Sequence, residues 1–302
     1  MKRLALKLLL FLLVFLAYDK VFILVANRSA ETEVDRRLEY LIEGQINKEV
    51  VIIGSSRGSR DIIAGQIEEK TGMSTYNLCY PGSSLEFHDF VLQTLLKFNE
   101  APETLVLIVD DSNAFMDGGD RILFRRDRLY PLIRYPYIWK EMAARGYLDN
   151  ELASIIVLQR MNKYNFDLRQ KAITAIDTII DCGSMPITWQ DKNTVWEYSA
   201  NDQAYPIDEE VPEKVEAFTN MVQTCEQEGI RLVIAFPPNY KKPSKAFQNR
   251  IRELSGTGVY FHHYDTENPI YRDKNYFFDI EHLMQPAAQV YTDELVEYLE
   301  TF

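Results

Sequence analysis

Val50-Val51-Ile52-Ile53-Gly54-Ser55-Ser56-Arg57-Gly58 decides how the rest of the chain is read. Four β-branched residues in a row, with no polar alternation, are the mark of a strand buried on both faces. The run stops at a glycine, two serines follow, and a helical pattern extends from Ser59 to Glu69. A doubly buried strand that passes at once into a helix belongs to a parallel sheet whose crossovers are helical.

The same alternation continues downstream. Thr75 to Tyr80 predicts a second strand, broken by Pro81-Gly82, and Leu85 to Phe98 a helix. A third strand, Thr104 to Val109, ends in Asp110-Asp111-Ser112-Asn113. The pattern lapses over residues 118–201, read as a helical insertion or lid with helices at Tyr137 to Arg145, Glu151 to Met161 and Leu168 to Ile180. It returns as a helix (Pro212 to Glu228), a strand (Arg231 to Phe236, stopped by Pro237-Pro238), a helix (Pro243 to Leu254), a strand (Val259 to Tyr264) and a last helix (Ala287 to Leu299). The expectation is an α/β fold: a flavodoxin-like, doubly wound parallel sheet of five strands over residues 49–302, carrying the insertion.

Upstream, Lys2, Arg3 and Lys7 precede Leu8-Leu9-Leu10-Phe11-Leu12-Leu13-Val14-Phe15-Leu16-Ala17, and Val21 to Ala26 resumes the run after Asp19-Lys20. A membrane span needs about 20 residues. Leu4 to Ala26 supplies them if Asp19 and Lys20 sit near an interface or are paired. No A-x-A cleavage site follows, so residues 1–27 are expected to be an uncleaved signal anchor and transmembrane helix, with 28–48 as a stalk. The N-terminal positive charge predicts a single-pass membrane protein whose working domain is extracytoplasmic.

A net charge of −12 argues against nucleic acid as a partner. The one basic stretch, Arg121 to Arg128, is interrupted by Asp127 and reads as a solvated or interdomain face. Cys79, Cys182 and Cys225 form no C-x-x-C pair, and no histidine has a ligand partner at metal spacing, so no metal or other cofactor is expected. The aromatic stretch Trp189 to Tyr198 reads as core, with sugar stacking as the alternative.

In open α/β sheets ligands bind beyond the carboxyl ends of the strands. That gathers Gly54 to Arg57, Pro81 to Ser84, Asp110 to Asn113, Pro237 to Tyr240 and the Asp279 to His282 segment. Ser56 stands at a strand-to-helix turn, where it is either a nucleophile or a helix cap. Asp279 and His282, three residues apart, can present a carboxylate and a base to one pocket, or lie on the surface. Gly82 offers a backbone N–H to an oxyanion, or merely makes a turn. Asn113 is an amide donor for the same purpose, or a cap.

Strand, G-S-S-R, helix, N-L-x-Y-P-G-S-S, strand with polar loop, and a C-terminal F-D-x-x-H-L together resemble the SGNH/GDSL-like hydrolase superfamily. The likeness is to membrane-anchored members related to the D-alanyl transfer protein and to polysaccharide O-acetylation proteins. It covers Val50 to Asn113 and Arg231 to Phe302. It implies Ser56 as nucleophile, Asp279 and His282 as acid and base, and Gly82 as oxyanion donor. Three departures stand out: Ser55 replaces the signature aspartate, Met284 follows Leu283, and Val109-Asp110-Asp111-Ser112-Asn113 replaces the usual G-x-N-D.

The expected activity is that of a serine esterase or acyltransferase on acyl groups of cell-envelope polysaccharide or lipid. The resemblance also admits a membrane acyl-donor protein as partner. The alternative is a non-catalytic envelope protein of the same fold that binds glycan or an anionic ligand, with Arg57 and the 121–128 arginines as its anion contacts.

Overall fold

A computed structural model describes residues 1–116, 124–166, 168–169, 176–188, 197–200 and 204–302. Along the chain run α1 (Lys2–Glu31), α2 (Arg37–Ile42), β1 (Val50–Ile53), α3 (Ser56–Asp61), α4 (Ala64–Thr71), β2 (Thr75–Asn77), α5 (Leu85–Phe98) and β3 (Thr104–Ile108). There follow α6 (Arg126–Leu129), α7 (Pro136–Ala144), α8 (Asn150–Ile155), α9 (Pro212–Glu228), β4 (Arg231–Phe236), α10 (Lys245–Ser255), β5 (Tyr260–His263) and α11 (Gln285–Leu299). They belong to two compact units: Arg37–Phe124 with Ile173–Phe302, and Met1–Arg36 with Arg125–Ala172.

The first unit is a five-stranded sheet in the order β2-β1-β3-β4-β5, every pairing parallel. This is the strand order of flavodoxin-like sheets. Val50 to Ile53 are fully buried. Val50, Ile52, Val106, Ile108, Val233 and Ala235 share one face with Ile67 of α4 and Leu295 of α11. Their neighbours Val51, Ile53, Leu105, Leu107, Leu232 and Ile234 point the other way, where α5 and α9 pack together. Gly54 ends β1 in close contact with β3, since a Cβ there would lie 2.6 Å from Ile108 Cβ.

Several elements depart from the sequence expectation. The helix expected over 59–69 is two helices, and it starts earlier, at Ser56. The break between them has partners supplied from elsewhere: Ile63 N–H donates to Thr292 Oγ1 (3.1 Å) and Ala64 N–H to Ser184 Oγ (2.9 Å). β2 ends at Asn77, yet Leu78 N–H and Tyr80 N–H still donate to the carbonyls of Ile52 and Gly54.

Residues 37–48 are not a free stalk. Leu38, Leu41 and Ile46 are buried, and α2 packs on α5. The buried Arg37 donates to the carbonyls of Cys79 (2.9 Å) and Gly183 (2.7 Å) and lies over the Tyr80 ring.

The second unit joins the N-terminal helix to the first part of the insertion. α1 is long and apolar enough to cross a membrane. Helix α7 forms close to where the sequence predicts it. The helix expected over 151–161 stops at Ile155 and continues as a 3-10 turn, Val157–Arg160. Of the helix expected over Leu168 to Ile180, residues 170–175 lie outside the described residues, and the described remainder is not helical. Arg121 and residues 189–196 also lie outside them. Arg125 pairs with Asp127, Arg126 lies over the Tyr147 ring, and Arg128 meets Glu33 and Asp127.

The Gly54 contact sets a stability prediction. Gly54→Ala must push Ile108 or the β1–β3 pairing aside and should cost about 1–3 kcal/mol. Urea unfolding of the full chain in micelles reads this out; an unchanged midpoint would mean that the strands part without strain.

Candidate active site

The chemistry-bearing residues lie beyond the carboxyl ends of β1 and β3 and just ahead of α11. β1 turns at Gly54, Ser55 caps α3 by accepting the Arg57 N–H (3.3 Å), and Ser56 is the first helical residue. Ser56 Oγ lies 2.8 Å from His282 Nε2, across 226 residues of chain. His282 Nδ1 lies 2.8 and 2.9 Å from the two Asp279 carboxylate oxygens. Asp279 also accepts the backbone N–H groups of Glu281 (2.8 Å) and His282 (2.9 Å), so one turn of chain fixes acid and base together.

Partial burial pushes the Asp279 carboxyl up. The His282 ring and the two backbone donors outweigh it and hold the group below its usual range. An ionised carboxylate only accepts, so the proton on His282 sits at Nδ1 and Nε2 presents its lone pair to Ser56. The three sequence-predicted residues Ser56, Asp279 and His282 are therefore brought together in hydrogen-bonding order.

Ser55, Ser56, Arg57, Gly82, Asn113, Lys214 and Glu281 all line one cleft of about 370 Å³. Gly82 takes a φ of 70°, which a side chain would strain. Among the described residues, the N–H groups of Ser56 and Gly82 meet no protein acceptor, and the exposed Asn113 side chain has no hydrogen-bond partner. The Gly82 loop is held from within: Ser83 Oγ donates to the Tyr80 carbonyl (2.7 Å) and sits 2.8 Å from His88 Nε2. His88 must then donate from Nε2. Burial drives its pKa down to about 3, so the ring stays neutral.

Arg57 has a different place from the one its sequence position suggests. It touches the cleft but is 2 % exposed, and its guanidinium donates to the carbonyls of Asp110 and Pro237. It ties the loops after β1, β3 and β4 together instead of standing free for a substrate anion. Asp110, half-buried with its Oδ1 withdrawn from solvent, accepts from Ser55 Oγ. Its carboxyl is pushed up by burial, against the pull of Arg57. Asp111 is half-buried too, but the charges of Arg57 and Lys241 (2.7 Å from its carboxylate) hold it low.

Sequence reasoning missed Asp61, Asp110 and His88. A signal for the first was present. Arg57-Gly58-Ser59-Arg60-Asp61 packs three charges into the helix that follows a fully buried strand, where solvent is scarce. Asp61 is completely buried and accepts the Leu283 N–H (2.9 Å), positioning the residue after His282. Among the described residues, no group of three His, Cys, Asp or Glu side chains could hold a metal ion.

Compared with protein-family profiles and with curated proteins, the chain matches none.

Burial raises the Asp61 carboxyl from 3.8 to about 7, against the charges of His282 and Arg57. The folded chain therefore holds a proton that the unfolded chain has released, and folding loses stability as pH climbs through that window, levelling off above it. Asp61→Asn should remove this dependence. Its urea midpoint relative to wild type should rise between about pH 5 and about pH 8. A flat difference would show that Asp61 takes up no proton on folding.

Proposed function

We propose that the chain is a membrane-anchored serine esterase or acyltransferase of the SGNH type, working outside the cytoplasmic membrane on acyl groups of envelope polysaccharide or lipid. The observation that carries this reading is the unbroken line Asp279–His282–Ser56, with both hydrogen-bonded steps at 2.8 Å. A serine hydroxyl attacks an ester only when a base takes its proton, and the base works only when a carboxylate fixes its tautomer.

In the proposed reaction His282 Nε2 accepts the Ser56 proton as Oγ adds to the acyl carbonyl. The oxyanion that forms meets the free N–H groups of Ser56 and Gly82, with the Asn113 amide as a third donor. Collapse expels the alkoxide, which takes the proton back from His282, and leaves the acyl group on Ser56. Water or a sugar hydroxyl then gives its proton to His282 and attacks the acyl-serine; the second collapse expels Ser56 Oγ, which takes that proton back from His282 and restores the hydroxyl. The anchoring rests on α1, whose length and composition suit a bilayer, and the side on the lysines and arginine at its start. The polar cleft lining, with Asn113, Lys214 and Glu281, suits a hydroxylated acceptor.

Among the described residues, the anion contacts of the binding-protein alternative are engaged elsewhere: the Arg57 guanidinium donates to backbone carbonyls, and Arg125, Arg126 and Arg128 have partners in the other unit.

Fluorophosphonate labelling of the full chain tests the proposal. Wild type should label at Ser56, and Ser56→Ala and His282→Ala should not. Asn113→Ala should still label, on the order of 10²-fold more slowly if the amide is an oxyanion donor. A folded wild type that does not label would overturn the enzymatic reading. Asp279→Asn should lower esterase turnover by on the order of 10³–10⁴-fold, since it leaves the wrong tautomer on His282.

A further inference from the structure

The second unit carries an arrangement that the active site does not need. α1 has 30 residues, about 45 Å of helix at 1.5 Å per residue. Its charged residues are Lys2, Arg3 and Lys7 at one end, Arg28 and Glu31 at the other, and Asp19 with Lys20 between. If the hydrocarbon stopped short of Asp19, only Leu8 to Tyr18 would lie between charges, well under the ~20 residues a span requires. A membrane-crossing α1 therefore has Asp19 and Lys20 inside the apolar layer or at its edge, where each needs a protein partner.

Both have one, and both find it in the corner between α8 and the 3-10 turn Val157–Arg160. Asp19, 2 % exposed, accepts the N–H groups of Val157 (2.7 Å) and Leu158 (2.8 Å). Lys20 Nζ donates to the Ile155 carbonyl (2.6 Å) and to Asp19 (3.1 Å). The rest of the corner is closed in the same way: Arg160 donates to the Ala153 (2.6 Å) and Ser154 (3.4 Å) carbonyls, and Ile156 N–H to Leu152 O (2.8 Å). A backbone turn exposed to water has no need of such saturation; one in contact with lipid does.

The side chains of the corner agree. Leu152, Ile155, Leu158 and Phe166 are 46, 61, 40 and 54 % exposed, and Phe166 meets Phe22 of α1 edge-on. Tyr18, Val21 and Leu24 of α1, within about a turn of Asp19 and Lys20, are exposed as well.

From this geometry we propose that the α8 corner, residues 152–158, is a second membrane element, lying in the outer acyl–headgroup boundary beside α1. The occupant of its apolar face is the lipid of the bilayer that α1 crosses, and the inference rests on that anchoring. Residues 125–166 are then a membrane-seated collar beside the anchor. An interfacial segment of this kind buries its apolar face while its polar residues stay toward water.

Site-directed spin labelling of the full chain in liposomes tests the proposal. Single cysteines replace Ile155 or Leu158 in a Cys182→Ser background, Cys79 and Cys225 being buried. Both target side chains are exposed, so a label need displace no packing. Val14→Cys on α1 serves as the lipid reference and Glu267→Cys on the sheet unit as the water reference. Positions 155 and 158 should collide with oxygen several-fold more than with a water-soluble nickel chelate, as Val14 does. Nickel access equal to that at Glu267 would overturn the collar. So would protection from both reagents, which would mean a protein covers the face. Nickel access at Val14 itself would overturn the anchor and the collar with it.

Discussion

The guanidinium of Arg57 is the constraint on which the cleft edge of the sheet depends. It follows Ser56 by one residue, is withdrawn from solvent, and donates to the carbonyls of Asp110 and Pro237. Those carbonyls lie just past the ends of β3 and β4, so the sheet ladder leaves them without partners. An unpaired buried carbonyl costs about as much as a lost hydrogen bond, and a buried cation costs far more unless its donors are used. The three loops and the cation therefore satisfy one another, and Ser56 is positioned by the same contact that closes the sheet edge. Asp110 takes the Ser55 hydroxyl, and Asp61 accepts the Leu283 N–H.

This arrangement explains why the triad needs so little local structure of its own. Asp279 and His282 sit on an irregular segment, yet the segment is fixed at three points. Asp279 accepts two of its N–H groups, Asp61 accepts the Leu283 N–H, and Phe278 N–H donates to the His282 carbonyl (2.9 Å). Phe277 and Leu283 are fully buried on either side. The backbone of His282 is thus held by hydrogen bonds and apolar anchors, so that its ring nitrogens are spent on Asp279 and Ser56 alone. The neutral His88 does parallel work under the Gly82 loop through Ser83.

Much of the sheet was legible because its signals are local. A run such as Val50 to Ile53 has one physical outcome, and α5 and α9 run from Leu85 to Phe98 and from Pro212 to Glu228, as periodicity and Pro at the first turn predict. The meeting of Ser56 with Asp279 and His282 was legible because Ser56 follows β1 at the carboxyl edge of the sheet, where ligands gather, and the D-x-x-H stands just ahead of the last helix. What could not be read depends on residues far apart in sequence. The break between α3 and α4 follows from Thr292 and Ser184. Residues 28–48 read as a stalk, yet 37–48 pack on the sheet unit because the partners of Arg37 lie at Cys79 and Gly183.

One habit of this chain unites those misses. Arg37, Arg57 and Lys214 in the sheet unit, and Asp19 in the other, are charged side chains withdrawn from solvent. Each is engaged mainly with backbone groups tens to more than a hundred residues away: Gly183, Pro237, Met116 and Val157 among them. A sequence pattern scores such a residue as an exposed charge, since a charge without a partner stays in water. Here the charge is where irregular backbone finds the partners that helix and sheet do not supply. Asp19 follows the same logic in an apolar helix. It interrupts the apolar run by composition, but once Val157 and Leu158 donate to it, the same residue fastens the first part of the insertion to α1.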